Sequence, residues 1–411
     1  MYPARPPFGQ RLELLGLVNV LVFVSDALRA DHVGAYGARY VSTPTVDSLC
    51  NSGLRFEQAI SAAPWTAPSM TSMITGLYPH RHGYYAWNEH DPALRTVFDA
   101  FVEADREVAT FVFDQTFLFK ELRNANVVGE TDELAGVIEW LRRPHDRPFL
   151  CFVHSWATHM PHRIPHGQRK KWRSAKLDFL ARLQADSATS VEGCREEYRQ
   201  GVEYMSETLV AELLGELESS GLREDTAVVF LSDHGESWGE RLPDRGELKG
   251  IYYLHGATLY DEILQIPLVV SAPGHIAPAV VENQVSSVDV APTLLELAGI
   301  PPIESDGVSL LSRAAGEAPD EPVFSFTTDR GVLSQAAVRR PPWKLIRHLE
   351  SGEEEGYHLD IDPRERENRV AEVPTELRFL LDRELQDAQQ AELSAEDEAA
   401  VVSRLTDLGY L

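Results

Sequence analysis

The amino-acid sequence predicts an α/β fold in which a mostly parallel central sheet is flanked by helices. Short apolar stretches rich in β-branched residues alternate with helical patterns along most of the chain, which is typical of parallel sheets. A small C-terminal α+β subdomain with an antiparallel sheet is predicted to follow. The buried strands of the central sheet are predicted over Val18–Ser25, Val108–Phe113, Phe149–His154, Ala227–Ser232 and Ile266–Val270.

Two helical patterns support this assignment. The longer one runs from Tyr198 to Leu217, where apolar residues recur every three or four positions and form one face. The other is predicted over Val290–Ile300, because Gly299 closes it and Pro301 cannot continue it. We place a domain boundary just beyond this helix, since 411 residues exceed what one core usually supports.

The predicted boundary divides the chain into three parts. Residues 1–17 form an N-terminal extension, residues 18–303 a catalytic α/β domain, and residues 304–411 a C-terminal α+β subdomain. The antiparallel strands and the acidic helix of the last part are predicted over Pro322–Thr327, Gln335–His348, Gly356–Asp360 and Glu376–Leu408.

The charge balance is strongly acidic, with 64 Asp and Glu residues against 38 Lys and Arg and a formal net charge of −26. Nucleic acid is therefore not an expected partner, because a phosphate backbone needs a basic surface. Only six of the 38 basic residues are lysines. At molar salt the Debye length falls to about 3 Å, which screens the repulsion within such a surface. We expect a halophilic protein, with an ordinary acidic protein as the alternative.

Cysteine content and hydropathy bear on the compartment. Three cysteines, Cys50, Cys151 and Cys194, give no disulfide framework. The longest early apolar stretch, residues 14–24, is about half the length of about 20 residues that a membrane span needs. No pattern of a secretory signal is evident. We therefore expect a cytoplasmic protein without an integral membrane segment.

Polar residues follow several of the predicted strands and form a candidate site. Asp26, His154 and Asp233 lie at strand ends, and ligands bind beyond the carboxyl ends of parallel strands. Together with Thr66 and His234 they offer carboxylate, imidazole and hydroxyl ligands, which suit Zn²⁺ or Mn²⁺ better than Mg²⁺ or Ca²⁺. A free secondary alcohol is hardly ionised at neutral pH, so Thr66 needs a dication if it is to attack an ester.

A series of short motifs occurs along the chain. They are residues 26–37 (DALRADHVGAYG), 66–83 (TAPSMTSMITGLYPHRHG), 232–236 (SDHGE), 255–268 (HGATLYDEILQIPL), 289–300 (DVAPTLLELAGI), 306–310 (DGVSL) and 357–368. In this order they resemble the sulfatase family of the alkaline phosphatase superfamily. The resemblance covers roughly residues 18 to 370 and implies the alkaline phosphatase-like fold.

The sequence departs from the family pattern at the positions that matter most for the chemistry. Sulfatases convert a Cys or Ser to formylglycine, whereas Thr66 stands there and would give a ketone on oxidation rather than an aldehyde. Met70 replaces an arginine, Ala27 replaces a second acidic ligand, and His234 replaces an asparagine. The resulting ligand set is similar to that of lipoteichoic acid synthases, phosphoethanolamine transferases and phosphonate monoester hydrolases.

The resemblance implies a role for each candidate residue. Asp26, Thr66, Asp233 and His234 would hold one divalent ion, with Thr66 as the unmodified nucleophile. Mn²⁺ or Zn²⁺ is favoured, and Ca²⁺ or Mg²⁺ is the alternative. The other catalytic candidates are His159 and His255. The substrate-binding candidates are Asn88, His154 and Lys249. Each also has a structural interpretation: a helix cap for Thr66, a buried strand-end residue for His154, an exposed loop residue for Lys249.

Three further residues are expected to support the site. Arg29 and Asp31 are predicted to form an ion pair that fixes the first loop. Ser69 is either a hydrogen-bonding residue behind the site or only part of the first turn of a helix.

The function predicted from these residues is a metal-dependent hydrolase of phosphate or sulfate esters on a small molecule or a glycan. Phosphate is favoured because the formylglycine route is closed. A phosphoryl-group transferase acting on glycan or lipid acceptors and a catalytically inactive sulfatase-like binding domain are the alternatives. The oligomeric state stays open.

Overall fold

A computed structural model describes residues 19–84, 91, 93–112, 119, 122–129, 134–162, 169–185, 188–240, 253–329 and 332–386. The predicted N-terminal extension and the predicted helix beyond residue 386 lie outside these ranges. The strands are, in chain order, β1 (Asn19–Ser25), β2 (Leu54–Ile60), β3 (Glu107–Val112), β4 (Val127–Gly129), β5 (Phe149–Ser155), β6 (Thr226–Ser232), β7 (Ser237–Trp238), β8 (Tyr253–Leu254), β9 (Gln265–Ile266), β10 (Leu268–Ser271), β11 (Ala279–Ser286), β12 (Val323–Asp329), β13 (Val332–Arg340), β14 (Trp343–His348) and β15 (Glu354–His358).

The central sheet confirms the predicted α/β class. Over the described ranges it has nine strands in the order β11-β2-β10-β6-β1-β5-β3-β4, with β9 paired to β2. Strand β1 is parallel to both β5 and β6, and β3 continues the parallel set beyond β5. Strand β10 runs antiparallel to β2 and to β6. The sheet is therefore mostly parallel, as predicted, with a reversed strand between β2 and β6.

Helices cover both faces of this sheet. They are α1 (Pro44–Ser52), α2 (Thr66–Thr75), α3 (Pro79–His82), α4 (Val97–Glu103), α5 (Ala135–Arg142), α6 (Arg169–Gln184), α7 (Ala188–Tyr204), α8 (Ala211–Ser219), α9 (Asp261–Leu264), α10 (Val290–Leu297), α11 (Leu310–Ala314) and α12 (Thr375–Gln386). The long pattern predicted over Tyr198–Leu217 corresponds to the end of α7, a π-helical segment Met205–Val210 and α8. Among these described helices, none combines the length and apolar character that crossing a bilayer requires.

Strand β1 shows why the sequence has continuous apolar stretches. Val20, Val22 and Val24 belong to the hydrophobic cluster on one face of the sheet, and Leu21 and Phe23 belong to the cluster on the other face. All five side chains are at most 1% exposed. A strand buried on both faces needs apolar residues at every position, so the period-two alternation of a half-buried strand is absent from it.

The C-terminal part forms the predicted antiparallel sheet, in the order β12-β13-β14-β15. The predicted stretch Gln335–His348 contributes two of these strands rather than one. Pro341 and Pro342 separate them, and neither proline can donate a hydrogen bond to a neighbouring strand. The division of the chain at residue 303 stays a prediction.

A buried ionic cluster joins this sheet to the α/β core. Nζ of Lys344 in β14 lies 2.6 Å from Oδ1 of Asp261 and 2.6 Å from Oε1 of Glu365. Nε of Arg339 lies 3.3 Å from Oδ2 of Asp261. The Lys344 side chain is only 1% exposed. We call Lys344, Asp261, Glu365 and Arg339 the Lys344 cluster.

The cluster predicts an acid-dependent loss of stability. Burial alone would raise the pKa of Asp261, but Lys344 and Arg339 outweigh it and hold the pKa at about 2. This value lies below the unfolded pKa of about 3.9, so the ionised carboxylate stabilises the fold above pH 4 and this stability is lost as the pH falls towards 2. We expect a loss of about 2–3 kcal/mol over this window, measured by urea unfolding.

Asp261→Asn should remove that component and flatten the pH dependence. Asp105→Asn is the control, because the Asp105 side chain is 83% exposed and paired only at the surface. Equal pH dependence in the wild type and Asp261→Asn would contradict the assignment.

Candidate active site

The site lies where β1, β5 and β6 end. Val24 of β1 pairs with His154 of β5, and Ser25 pairs with Ser232 of β6, so the three strand ends are level. Asp26 and Asp233 directly follow β1 and β6. The parallel register thus brings together residues that are more than 200 positions apart in the sequence.

His234 is the centre of the cluster. Its Nε2 lies 3.6 Å from Oδ1 of Asp26 and 3.3 Å from Oδ2 of Asp233. Oγ1 of Thr66 lies 3.3 Å from the same nitrogen. One ligand atom from each of Asp26, Asp233 and His234 lies within 4.8 Å of the others, and all three side chains are fully buried. The structure therefore brings together the four residues predicted to surround a metal.

The hydrogen bonds around this cluster leave the inward-facing atoms available as ligands. Among the described residues, nothing donates a well-aligned hydrogen bond to either carboxylate oxygen of Asp26 or to Oδ2 of Asp233. The ring of His234 donates from Nδ1 to the Gly235 carbonyl at 2.8 Å, which leaves the Nε2 lone pair facing the carboxylates. Buried carboxylate oxygens that lack aligned hydrogen-bond donors are costly, and a divalent cation would satisfy them. The donor set fits such an ion.

The two carboxylates titrate differently. Burial, and next the charge of Asp26, raise the pKa of Asp233 to about 7. Burial opposes ionisation of Asp26 as well, but His159 and His154 hold the pKa of Asp26 below its usual range. Two adjacent buried carboxylates repel each other when both are ionised, and a bound dication would remove that penalty.

Thr66 is the first residue of α2, and the start of this helix is fixed to the end of β6. Ser69, one turn further along, donates to the main-chain carbonyl of Asp233 at 2.6 Å. Ser61 donates to the same carbonyl at 2.6 Å. Ser69 is thus a hydrogen-bonding residue behind the site, the first of the two predicted alternatives.

The predicted ion pair in the first loop is present. Nη2 of Arg29 lies 2.8 Å from Oδ2 of Asp31. Nη1 of Arg29 also donates to the main-chain carbonyl of Glu236 at 2.9 Å. Arg29 therefore connects the loop after β1 to the loop after β6.

Two more predicted histidines line the cluster. The His255 ring lies 4.3 Å from the His234 ring and 5.3 Å from the His159 ring, measured between centroids. Burial tends to lower the pKa of His255, but Glu236, whose Oε1 lies 3.0 Å from Nδ1, raises it above the usual value. Burial lowers the pKa of His159 to about 3, and its Nδ1 donates to the Met160 carbonyl at 2.7 Å. At neutral pH His159 is thus neutral, whereas Glu236 shifts His255 towards its cationic form.

One of the three predicted substrate-binding residues lies within the described ranges. His154 is fully buried, and its Nε2 lies 3.2 Å from Oδ2 of Asp26. It contacts the carboxylate cluster directly, and its role in substrate binding stays a prediction. Asn88 and Lys249 lie outside the described residues. Glu236 received no role from sequence reasoning, although a carboxylate two positions after His234 in SDHGE was a visible signal.

The sequence matches two family models. The model described as "Sulfatase" matches residues 18–108 and 126–300. The model described as "N-sulphoglucosamine sulphohydrolase, C-terminal" matches residues 252–391. The first match alone covers more than half of the chain and includes every described residue of the cluster.

The curated relatives include a protein named as a sulfotransferase and one named as a sulfatase. The chain is 28% identical over 312 residues to the low-salt glycan biosynthesis sulfotransferase of Haloferax volcanii, covering 74% of this chain and 66% of that protein. It is 32% identical over 190 residues to the choline-sulfatase of Rhizobium meliloti, covering 45% of this chain and 34% of that protein. The chain thus spans about two thirds and about one third of the lengths of these two relatives.

Solved structures share the fold. The phosphonate monoester hydrolase of Agrobacterium radiobacter superposes with a TM-score of 0.69 at 20% identity, over 90% of this chain and 95% of that chain. A structure in complex with its substrate D-glucosamine-2-N,6-O-disulfate superposes with a TM-score of 0.70 at 17% identity, over 90% and 98%. With the motifs in order, the strand-end cluster in place and the family match over most of the α/β core, the chain belongs to the sulfatase family.

Proposed function

We propose that this protein is a metal-dependent hydrolase of phosphate or sulfate esters, with phosphate favoured, and that Thr66 is its nucleophile. The observation that carries the proposal is the position of Thr66, whose Oγ1 is buried 3.3 Å from Nε2 of His234 beside two carboxylates. A threonine there cannot become formylglycine, so the hydroxyl itself is the available nucleophile. A divalent ion held by Asp26, Asp233 and His234 would supply Lewis-acid stabilisation of negative charge on oxygen.

The protein's own residues then carry out bond formation, binding of the substrate oxygens and proton transfer. As the bond from Thr66 Oγ1 to phosphorus forms, the bond to the leaving oxygen breaks, and water later hydrolyses the ester on Thr66. His255, which Glu236 shifts towards its cationic form, binds a non-bridging oxygen of the substrate. The Thr66 proton passes to solvent, and a proton from solvent returns to the leaving oxygen. His159, which donates its Nδ1 proton to the Met160 carbonyl and lies beside His255, relays that proton to the leaving oxygen through Nε2.

A comparison of substrates tests the proposed reaction. Purified protein in molar salt with Mn²⁺ or Zn²⁺ is offered an aryl phosphate monoester, an aryl phosphodiester and an aryl sulfate. We expect a phosphate ester to give the highest kcat/KM. Faster turnover of the sulfate would overturn the phosphate preference. Metal binding without turnover of any ester would contradict hydrolysis and favour a binding domain or a transferase.

Metal dependence is tested separately through stability. Mn²⁺ at 100 times its Kd should raise the free energy of unfolding by about 2.7 kcal/mol relative to the chelator-treated protein. Asp233→Asn should lose most of this gain, because it keeps the acceptor Oδ1, which accepts from the main-chain amides of Ala27 and His234, and replaces only the unpartnered oxygen. Thermal unfolding with and without chelator measures the gain in the wild type and in Asp233→Asn. An equal gain in wild type and Asp233→Asn would place the ion elsewhere, and Asp178→Asn, in an exposed pair, is the control.

Group transfer is a second candidate, favoured by the similarity to a protein named as a glycan biosynthesis sulfotransferase. In this version the group on Thr66 passes to a glycan hydroxyl instead of water. Turnover of a labelled ester in the presence of a neutral oligosaccharide distinguishes transfer from hydrolysis. Label recovered mainly on the sugar supports transfer, and label recovered only as the free anion supports hydrolysis.

A further inference from the structure

The turn between Asp26 and Arg29 is braced by a tyrosine from a distant helix. We propose that the Tyr198 hydroxyl is a positioning group, which holds this turn in the shape that presents the Asp26 carboxylate to a divalent cation. The inference rests on the metal site of the proposed function and concerns a residue that lies behind it.

The turn needs a brace because of its backbone conformation. Ala27 has a φ of +60°, a left-handed conformation that residues with a Cβ atom disfavour. Ala27 is fully buried, so solvent does not hold the turn in place. Such a conformation persists only where surrounding groups fix it, and Asp26 depends on it because the two residues are adjacent.

Four side chains fix the turn, and one of them, Thr158, donates from Oγ1 to the Asp26 carbonyl at 2.5 Å. The amide of Ala27 donates to Oδ1 of Asp233 at 3.1 Å, and the amide of Leu28 donates to Oγ of Ser232 at 2.8 Å. Both acceptors come from the end of the neighbouring strand β6. The Tyr198 hydroxyl donates to the Ala27 carbonyl at 2.8 Å and accepts from the Arg29 amide at 2.9 Å. It is the group that bridges the two sides of the turn.

Tyr198 is itself held rigidly. The side chain is fully buried in α7 and makes edge-to-face contacts with His32, His162 and Trp238, at centroid distances of 4.9, 5.5 and 5.2 Å. Burial raises the pKa of its hydroxyl well above the usual value, so the proton needed for the bond to Ala27 is present at neutral pH. The ring contacts alone would suffice for packing, and the hydroxyl is directed at the turn.

Tyr36 provides a matched control. Its hydroxyl also bridges one main-chain amide and one carbonyl, both of Leu268 in β10, each at 2.9 Å. Tyr36→Phe and Tyr198→Phe therefore remove equivalent pairs of hydrogen bonds, one pair at strand β10 and one pair at the Asp26 turn. Both variants keep the aromatic ring, so both are expected to fold.

The experiment is a titration of the metal-free full chain with Mn²⁺, in which the electron paramagnetic resonance signal of free Mn²⁺ gives the Kd. Tyr198→Phe should weaken binding about tenfold, as loss of a group supporting a metal ligand does. Tyr36→Phe should leave the Kd within about twofold. Ala27→Gly added to Tyr198→Phe should recover part of the loss, because glycine adopts a positive φ without strain.

The outcomes separate this inference from the proposed function. If Tyr198→Phe and Tyr36→Phe bind Mn²⁺ equally well while Asp233→Asn does not bind, the metal site stands and the role of Tyr198 is wrong. If Ala27→Gly recovers nothing, the hydroxyl does not act through the turn, and the inference is overturned. If Asp233→Asn binds as tightly as wild type, the metal site itself fails, and this inference fails with it.

Discussion

Thr66→Ala is expected to lower the turnover of a phosphate ester at least about a thousandfold while leaving the protein folded, because it removes the attacking atom. The substitution deletes Oγ1 and one methyl group from a side chain that is 4% exposed. The position is the first of α2, and the hydroxyl makes a contact of 3.3 Å with the ring of His234. Steady-state kinetics in molar salt with saturating Mn²⁺ measure the effect on kcat.

Two variants make this result interpretable. Thr71→Ala removes a buried threonine hydroxyl from the same helix, where it donates to the Ala67 carbonyl at 2.9 Å, and should keep most of the activity. Thr66→Ser restores a hydroxyl and should recover most of the loss. Full turnover by Thr66→Ala would show that water attacks the ester directly, and Thr66 would then have only a structural role at the start of α2.

A covalent intermediate gives an independent readout of the same hypothesis. If Thr66 attacks phosphorus, rapid acid quenching during turnover should leave a phosphoryl group on the peptide that contains Thr66, since a phosphothreonine ester is stable in acid. Mass spectrometry of the digested protein detects it. A modified peptide in Thr66→Ala, or modification of another residue in wild type, would contradict the assignment.

The parts of the site that follow from local sequence were predictable. Buried strands are recognisable by composition, and parallel strands end at one edge of the sheet, so the convergence of Asp26, Asp233 and His234 follows from the sequence alone. The family resemblance then placed Thr66 beside them. The same reasoning gave the antiparallel C-terminal sheet but treated Gln335–His348 as one stretch, although Pro341 and Pro342 within it were a visible signal of a turn between two strands.

Contacts between distant segments could not be predicted from patterns. Tyr198 reaches Ala27 across 171 positions, and in the sequence it is only one apolar residue on a helical face. The pattern of residues along its strand does not show that Lys344 is buried. The arginine and the two carboxylates of its cluster come from three separate segments of the chain. The antiparallel insertion of β10 between β2 and β6 likewise depends on pairings that no local pattern encodes.

The second large effect expected is on stability. Lys344→Met should lower the free energy of unfolding by about 3–5 kcal/mol, because it leaves two buried carboxylates without their shared cation. The Asp261 and Glu365 side chains are 8% and 0% exposed, so neither carboxylate of the cluster can gain compensating hydration without opening the junction between the C-terminal sheet and α9. Urea unfolding at pH 7 measures the change. Arg147→Met removes the cation of an exposed pair and should change stability by less than about 0.5 kcal/mol.

Salt and a double variant distinguish a buried charge effect from lost packing. Molar salt screens exposed pairs but leaves a buried pair largely intact, so the loss in Lys344→Met should persist there. Glu365→Gln added to Lys344→Met removes one of the uncompensated charges, and the double variant should therefore be less destabilised than the sum of the two single variants. Strict additivity would mean that Lys344 and Glu365 contribute independently. The Lys344 cluster would then stabilise the junction through side-chain packing, with no net contribution from the ion pair between them.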